Sequence, residues 1–169
     1  MENGHVDLSE NNISLLPNFV RYLKQITSLD LRYNQLKKIP ESIGNLTNLT
    51  RLDLRDNQLT YLPESIENLT LLTELNLRAN QLTEIPESIC KITNLTTLDL
   101  SRSELTMLPE SIGKLTNLTE ILLYDNQLTT LPKSIENLIH LEYMELEHNP
   151  ITNEERIRLT KIFGDKVLF

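Results

Sequence analysis

The chain has 169 residues, a formal net charge of −8 at pH 7 and one cysteine. The acidic charge repels phosphate backbones and so excludes general nucleic-acid binding, while a lone cysteine excludes a disulfide framework. Apolar residues make up 39% of the chain, but no run approaches the roughly 18 residues that a membrane-spanning helix needs. Because the first residues also lack the basic and apolar regions of a signal peptide, we expect a cytoplasmic protein without membrane association.

A repeat of 23 residues organises the chain and is visible in two columns of residues. The proline column consists of Pro17, Pro40, Pro63, Pro86, Pro109 and Pro132. The asparagine column consists of Asn11, Asn34, Asn57, Asn80, Asn126 and Asn149. Ser103 stands between Asn80 and Asn126, where the interval requires asparagine. Since a buried asparagine can bond backbone groups that a turn leaves open, we predict a local weak point at Ser103.

Each unit predicts a short strand followed by a helical turn. Leu52 and Leu54 alternate as in a β-strand, whereas Pro63, Ile66 and Leu69 recur at every third position, as in a 3₁₀-helix or α-helix. Proline suits the start of such a turn because it lacks the N–H that would be unsatisfied there. A single unit has too few apolar side chains to offset the entropy cost of folding. The units must therefore stack into a solenoid, in which we expect about seven strands.

The end of the chain departs from the repeat. We predict an array of about seven units over residues 1–152 and a separate cap over residues 153–169. The columns that should hold proline, isoleucine and leucine hold Glu155, Arg158 and Lys161. Thr152 with Glu155 three residues later indicates a capping box, and Gly164 ends the predicted helix. The apolar face of this amphipathic helix consists of Leu159, Ile162 and Phe163. The last residues, 167–169, predict a final strand.

One unit also carries a family resemblance. Residues 49–59 follow the pattern L-x-x-L-x-L-x-x-N-x-L and resemble the leucine-rich repeat. The next stretch, residues 62–69, reads L-P-E-S-I-x-x-L and is similar to the 23-residue class found in bacterial proteins and plant intracellular relatives. The resemblance covers residues 4–151. It implies an α/β leucine-rich-repeat solenoid with a curved parallel β-sheet on the concave side and irregular or 3₁₀ segments on the convex side, to which the predicted helix adds a C-terminal cap.

No group of residues in the sequence indicates catalysis. A catalytic site needs at least two titratable groups in one pocket, but His5 and His148 lie on distant units of the repeat. Cys90 falls in a column of the convex turn, where we expect a neutral surface thiol. No phosphate-binding loop occurs either. We therefore predict that the protein is not an enzyme and uses no metal, cofactor or small-molecule substrate.

Side chains that flank the strand leucines must point away from the core, and they form the concave surface. An arginine stripe runs along this surface beside a column of aspartates, and it consists of Arg32, Arg51, Arg55 and Arg78. Two interpretations of the stripe are open. The aspartates neutralise it within a solvated surface, or the arginines bind carboxylates of a partner.

From the sixth unit onwards the concave surface changes character. Leu122 replaces aspartate, Tyr124 replaces arginine, and Tyr143 lies beside them. Glutamates surround these three residues, and they are Glu120, Glu142, Glu145 and Glu147. Apolar and aromatic side chains within a charged rim are typical of a binding hot spot. The alternative is a loss of repeat regularity next to the cap.

The resemblance and this surface together predict the function. The family implies protein–protein recognition, and some bacterial members are effectors that act inside host cells. We expect a monomeric scaffold that binds a partner protein on its concave face, as an effector or regulator that blocks this partner, in the cytoplasm or the host-cell cytosol. The alternative is the recognition segment of a longer enzyme, such as a kinase or ubiquitin ligase. The predicted cap argues against a continuation on the C-terminal side and leaves the N-terminal side open.

Overall fold

The computed structural model describes residues 4–17, 20 and 22–169. The start of the predicted array at residues 1–3, and positions 18, 19 and 21 within it, lie outside the described residues. In the described residues, eight short strands form one parallel sheet in chain order. They are β1 (His5–Asp7), β2 (Ser28–Asp30), β3 (Arg51–Asp53), β4 (Glu74–Asn76), β5 (Thr97–Asp99), β6 (Glu120–Leu122), β7 (Tyr143–Glu145) and β8 (Val167–Leu168). Seven strands come from the repeats and the eighth is the predicted final strand.

The convex side consists of 3₁₀ segments, as the spacing of three predicts. They are Glu41–Asn45, Glu64–Asn68, Glu87–Lys91, Ile112–Lys114 and Lys133–Asn137. Each begins at or after a column proline whose carbonyl accepts a hydrogen bond from the N–H three residues later, for example Ile43 to Pro40 at 3.0 Å. A hydrogen bond between residues three apart defines a 3₁₀ turn. Proline has no N–H, but at this first position it acts only as the acceptor, so the turn loses no hydrogen bond.

The core lies between the sheet and the 3₁₀ segments. Leu52, Leu54 and Ile66 are fully buried, and the same columns are buried in the other central repeats. Equivalent residues pair across neighbouring strands, as Leu29 does with Leu52. Each repeat thus contributes one layer of the same leucines and isoleucines, and the predicted curved solenoid is confirmed.

Cys90 belongs to this core, so its predicted surface position is wrong. The thiol is buried within the 3₁₀ segment Glu87–Lys91. Burial raises the pKa of Cys90, and the hydrogen-bonding Ser111 hydroxyl opposes this shift only in part. In other repeats the position of Cys90 holds glycine or glutamate. At one of these glycines, Gly113, an added Cβ would come within 2.0 Å of a carbonyl oxygen in the next repeat. Neighbouring segments are therefore packed closely enough to cover a small side chain.

The asparagine column ties each repeat to the one before it. The Asn57 side-chain oxygen accepts a hydrogen bond from the Leu36 N–H at 3.0 Å. Its amide group donates to the carbonyls of Leu31 and Leu54, each at 3.0 Å. Asn80, Asn126 and Asn149 are buried and repeat these contacts. The predicted role of the column is confirmed, and we refer to it as the asparagine ladder.

Ser103 interrupts the asparagine ladder without changing the backbone. Its buried hydroxyl has no hydrogen-bond partner among the described residues. The adjoining bond from the Glu104 N–H to the Leu82 carbonyl measures 2.9 Å, the same as the corresponding bond between Gln81 and Leu59. This backbone hydrogen bond is therefore kept at Ser103, and the amide side chain is what the position lacks.

The helix that follows the array, α1, spans Asn153–Phe163 and begins where predicted. The Thr152 hydroxyl accepts from the Glu155 N–H at 3.2 Å, which is half of the predicted capping box. The other half is absent, because the Thr152 N–H donates to the Thr129 carbonyl. No helix in the described part of the chain is long and apolar enough to cross a membrane.

The inward line of α1 consists of Glu155, Leu159 and Phe163, spaced by four residues, and all three are buried. Ile162 lies beside this line and is exposed, so its predicted place in the cap is wrong. Glu155 takes an inward position instead. Its carboxylate accepts from the Leu131 N–H at 2.8 Å and pairs with Arg158 at 2.6 Å, which fastens the helix to the preceding repeat.

We expect Ser103→Asn to raise the free energy of unfolding by about 0.5–1.5 kcal/mol, the usual net contribution of one buried hydrogen bond. The new side chain can accept from the Leu82 N–H as its counterparts do. Urea denaturation followed by circular dichroism measures the change. Asn80→Ser is the matched control, because it opens the same gap one repeat earlier and should lower stability. A less stable Ser103→Asn protein would contradict the prediction.

We expect the free energy of unfolding to depend on pH through Glu155. Hydrogen bonds from Arg158 are the main cause that lowers its pKa from the ordinary value of 4.5, with burial opposing them. Its contribution is therefore fully present above the ordinary pKa and is lost as pH falls through the lowered folded pKa. Glu155→Gln should lower the free energy of unfolding at pH 7 by about 1–3 kcal/mol. Unfolding curves at pH 7 and pH 3 should show this difference shrinking at pH 3, and an equal difference at both would refute the assignment.

Candidate functional site

The concave surface is built from side chains that flank the buried residue at the centre of each strand. The last residue of each repeat strand forms one column, which we call the Asx column. It consists of Asp7, Asp30, Asp53, Asn76, Asp99, Leu122 and Glu145. In its first five members, one side-chain oxygen accepts from the backbone N–H two residues later, for example Asp99 from Ser101 at 2.9 Å. These bonds close an Asx turn at the end of each strand.

The Asx turn is a role that the sequence interpretation missed. The aspartates beside the arginine stripe accept hydrogen bonds from the backbone, and their ion pairs with the arginines are secondary. The signal was present, because the column holds only aspartate or asparagine up to Asp99, and these two residues share the required side-chain oxygen. Glutamate or serine would have served equally well if charge or polarity alone mattered.

Leu122 gives up this structural bond. Its side chain has no oxygen to accept from the Tyr124 N–H. Leu122 is nevertheless the last residue of β6, a strand that pairs as regularly as the others. The side chain is half-buried on the concave surface. The repeat therefore loses a local hydrogen bond at Leu122 and gains an apolar surface in its place.

The arginines of the first units already have partners in this chain. Arg51 pairs with Glu74 at 2.6 Å and approaches Asp53 at 3.5 Å. Arg32 lies 3.1 Å from Asp30. These pairs support the interpretation of a self-neutralised stripe, in which exposed ion pairs contribute little free energy.

Arg55 and Arg78 behave differently from the other two arginines. Arg55 lies 3.8 Å from an Asp53 oxygen and covers the ring of Tyr33, with its guanidinium carbon 5.7 Å from the ring centre. Burial raises the pKa of Glu145, and the charge of Arg78 opposes this rise. Arg78 thus marks the boundary between the arginine stripe and the glutamates.

The predicted patch residues Leu122, Tyr124 and Tyr143 lie on β6, just after it and on β7, and the strand register sets a glutamate opposite each of the two strand residues. Tyr143 pairs with Glu120 across β6 and β7, and Leu122 pairs with Glu145. All three patch residues are half-buried. Tyr124 is half-buried partly because its ring meets the His148 ring edge to face, with 4.9 Å between the ring centres.

The glutamates around the patch repel one another. Burial raises the pKa of Glu145 most, and the charges of Glu147 and Asp99 raise it further. The pKa of Tyr143 is raised by burial and then by Glu145, Glu147 and Glu120. This end of the concave surface therefore has an excess of negative charge that a cationic partner would relieve.

A groove of about 690 Å³ runs along the flank of the solenoid beside the proline column. It contains Met107, which is exposed, and several glutamates. A second hollow around Leu16, Pro17 and Tyr61 is formed by the same columns at the start of the array. Because the groove recurs with the repeat, its presence is explained by the geometry of the solenoid.

The described residues contain no group of three or more His, Cys, Asp or Glu that could hold a metal ion. His5 forms a hydrogen bond of 3.0 Å with the Ser28 hydroxyl at one end of the sheet. The His148 ring meets the Tyr124 ring edge to face towards the other end. The histidines are thus separated, as their sequence spacing predicts.

Comparison with known proteins identifies the family. A family model described as a leucine-rich repeat region matches residues 75–161, and another described as a leucine rich repeat matches residues 24–82. The chain belongs to the leucine-rich repeat family. No curated protein matches the sequence closely enough to count as a relative.

Two solved structures are similar to the chain. A leucine-rich repeat protein of Leptospira interrogans is 40% identical over 97% of this chain and 42% of its own, with a TM-score of 0.93. The ectodomain of the Arabidopsis thaliana membrane receptor kinase GASSHO1/SCHENGEN3, in complex with CASPARIAN STRIP INTEGRITY FACTOR 2, is 35% identical over 79% of this chain and 17% of its own, with a TM-score of 0.72. The chain therefore spans less than half the length of either structure.

We expect Leu122→Asn to restore the Asx turn, because asparagine already fills this role at Asn76. Leu122→Ala is the matched control, since it removes the same apolar side chain without adding an acceptor. The asparagine variant should exceed the alanine variant by about 0.5–1.5 kcal/mol in free energy of unfolding. Chemical denaturation of both proteins measures the difference. Equal stability would show that the Tyr124 N–H needs no acceptor there.

Proposed function

We propose that the protein is an interaction module that holds a partner protein on the C-terminal half of its concave face. Leucine-rich repeat domains generally mediate protein–protein interaction, and the plant ectodomain that resembles this chain is bound to a partner. The observation that carries the proposal is Leu122, where a structural hydrogen bond is replaced by an apolar side chain on the surface. Such an exchange costs stability and is useful only if another surface covers the leucine.

The patch defines the chemistry of the partner. Leu122, Tyr124 and Tyr143 supply an apolar and aromatic centre of the kind that dominates binding energy. The rim of Glu120, Glu145 and Glu147 favours a basic border on the partner and speeds its approach. Arg55, Arg51 and Arg32 lie at the periphery with carboxylates of their own chain, where charge contributes less. Arg78 lies between the two regions.

We further infer that the protein is an effector or regulator that blocks its partner by covering it. The 23-residue L-P-x-x-I unit supports this, together with the similarity to a bacterial leucine-rich repeat protein. In this proposal the protein is a monomer when free and acts in the cytoplasm or the host-cell cytosol. It carries out no reaction and uses no cofactor.

A second candidate function is the recognition segment of a longer enzyme. The similarity to the ectodomain of a receptor kinase, of which this chain spans 17%, favours this alternative. The two candidates share the same binding surface and differ in what is attached to it. The full-length reading frame distinguishes them, because a kinase or ubiquitin ligase segment in it would select the second.

We expect Tyr124→Ala or Tyr143→Ala to weaken binding of the partner by about 2 kcal/mol or more, as for aromatic residues at the centre of an interface. Arg55→Ala is the comparison and should cost less than about 1 kcal/mol, since it lies at the periphery. The partner is first isolated from native lysate as the protein that the immobilised unmutated chain retains and the bare resin does not. Calorimetric titration then gives the dissociation constants.

Two further results decide the position of the site. Thermal melting of each variant should stay within a few degrees of the unmutated chain, because none of these residues is in the core. If the arginines prove dominant and both tyrosines are silent, the hot spot lies on the N-terminal half and the proposal is wrong.

A further inference from the structure

The groove beside the proline column, which we call the flank groove, has a volume of about 690 Å³ and crosses the four repeats that begin with β3 to β6. The geometry of the solenoid explains its shape but not the residues that line it. Much of the lining is apolar and comes from prolines of the column and from the edges of core residues. These are Pro86, Pro109, Pro132, Ile85, Leu108 and Leu131. The flank groove therefore has an apolar floor.

Met107 adds an apolar side chain to this groove that the repeat does not require. It is 61% exposed, and its counterparts one repeat to either side, Glu84 and Thr130, are polar and also exposed. A methionine side chain is flexible and polarisable, so it adapts to surfaces of different shape, and methionine is common at binding surfaces for this reason. Met107 thus supplies an adaptable contact above the apolar floor.

Every ionisable residue that lines the flank groove is a glutamate. The four are Glu64, Glu84, Glu87 and Glu110. All four are exposed, and none of them forms an ion pair within the described part of the chain. Lys91 attracts Glu64 but pairs with Glu67, at 2.7 Å. Glu87 accepts a hydrogen bond from the Ser111 hydroxyl, which leaves its negative charge in place. The groove therefore lacks a compensating cation of its own.

The second hollow on the same flank shows that this negative charge is not a property of the repeat. Lys38 and Glu41 line that hollow together, beside the exposed side chains of Leu15 and Tyr61. Lys38 occupies the repeat position that Met107 holds in the flank groove. The hollow at the start of the array thus balances its charges, whereas the flank groove combines an apolar floor with negative charge alone.

We propose that the flank groove binds an extended basic segment of a partner protein, in which lysines or arginines flank an apolar residue. This inference goes beyond the proposed function, because it concerns a different surface from the concave face. The apolar residue packs on Met107 and the prolines. The flanking side chains are long, so their stems lie along the groove while their charges reach the exposed glutamates.

The length of the groove favours an extended segment over a single side chain. Three intervals between repeats, at about 4.8 Å each, give a length of roughly 14 Å, which an extended chain of about four or five residues spans. The glutamates follow one another along this length, since Glu64, Glu87 and Glu110 hold the same position in successive repeats. A row of cations along the chain of the partner matches this row of carboxylates.

The test titrates the full chain, labelled with carbon-13 at its methionine methyl groups, with the peptide acetyl-Lys-Lys-Leu-Lys-Lys-amide at physiological salt. Met107 is the reporter, and Met144, which is fully buried in the core, is the internal reference. We expect a saturable shift of the Met107 methyl signal and none of the Met144 signal. A Met107 signal that does not shift, or shifts without saturating, would overturn the proposal.

Two control peptides separate the apolar contact from the charge. The peptide with serine in place of leucine keeps the charge and should bind more weakly by about fivefold or more, because it buries no apolar side chain. The peptide with glutamate in place of each lysine should leave the Met107 signal unchanged. Equal binding of the serine peptide would reduce the effect to a general attraction of cations and so refute the groove.

A pair of double variants locates the charge. Glu84→Gln with Glu110→Gln removes two of the four carboxylates at constant side-chain size and should weaken peptide binding by about fivefold or more. Glu10→Gln with Asp165→Asn is the matched control, because it removes two charges from exposed residues outside the groove. Its affinity should stay close to that of the unmutated chain. Equal weakening in both double variants would show that net charge alone attracts the peptide.

This experiment needs no partner protein, so its outcome is independent of the test of the proposed function. Loss of partner binding in the tyrosine variants together with no peptide binding at Met107 would keep the concave hot spot and remove the flank groove. Peptide binding at Met107 together with silent tyrosines would keep the flank groove and remove the hot spot.

Discussion

The asparagine ladder is the interaction on which the rest of the structure depends. Each side chain bonds backbone groups of its own repeat and of the one before, so that it fixes the distance and register between them. The strands can be as short as three residues because the ladder, rather than the sheet alone, holds the turn that follows each strand. The leucine layers then stack at a constant spacing, and burial of their side chains supplies the favourable free energy.

A fixed register has a direct consequence for recognition. It places the same position of every repeat in one column, so a single substitution changes one point on an otherwise uniform surface. Leu122 is such a point, because it stands in a column that otherwise closes Asx turns or carries charge.

Most of the fold could be predicted from the sequence, because the period of 23 residues reports directly which side chains share a layer. The errors have local causes. Cys90 lies in a column of mixed residues, and only the packing of adjacent 3₁₀ segments shows that it is buried. Ile162 matches the helical period but lies beside the inward line that Glu155 joins. The concave residues were placed on the correct face. Their half-burial depends on neighbouring side chains across strands, which a single-strand pattern does not contain.

The gap at Ser103 also affects how cooperatively the chain unfolds. In a one-dimensional stack, cooperativity passes only between adjacent repeats, and we expect it to be weakest at the interface that lacks its asparagine, next to the unpartnered Ser103 hydroxyl. Sub-global opening at this interface would separate a block that carries the arginines from a block that carries the tyrosines, and amide hydrogen exchange would report them as two foldons. A partner protein that contacted both blocks would span this interface. Its binding energy would join the two blocks into one cooperative unit, so that occupancy is coupled to rigidity along the whole solenoid.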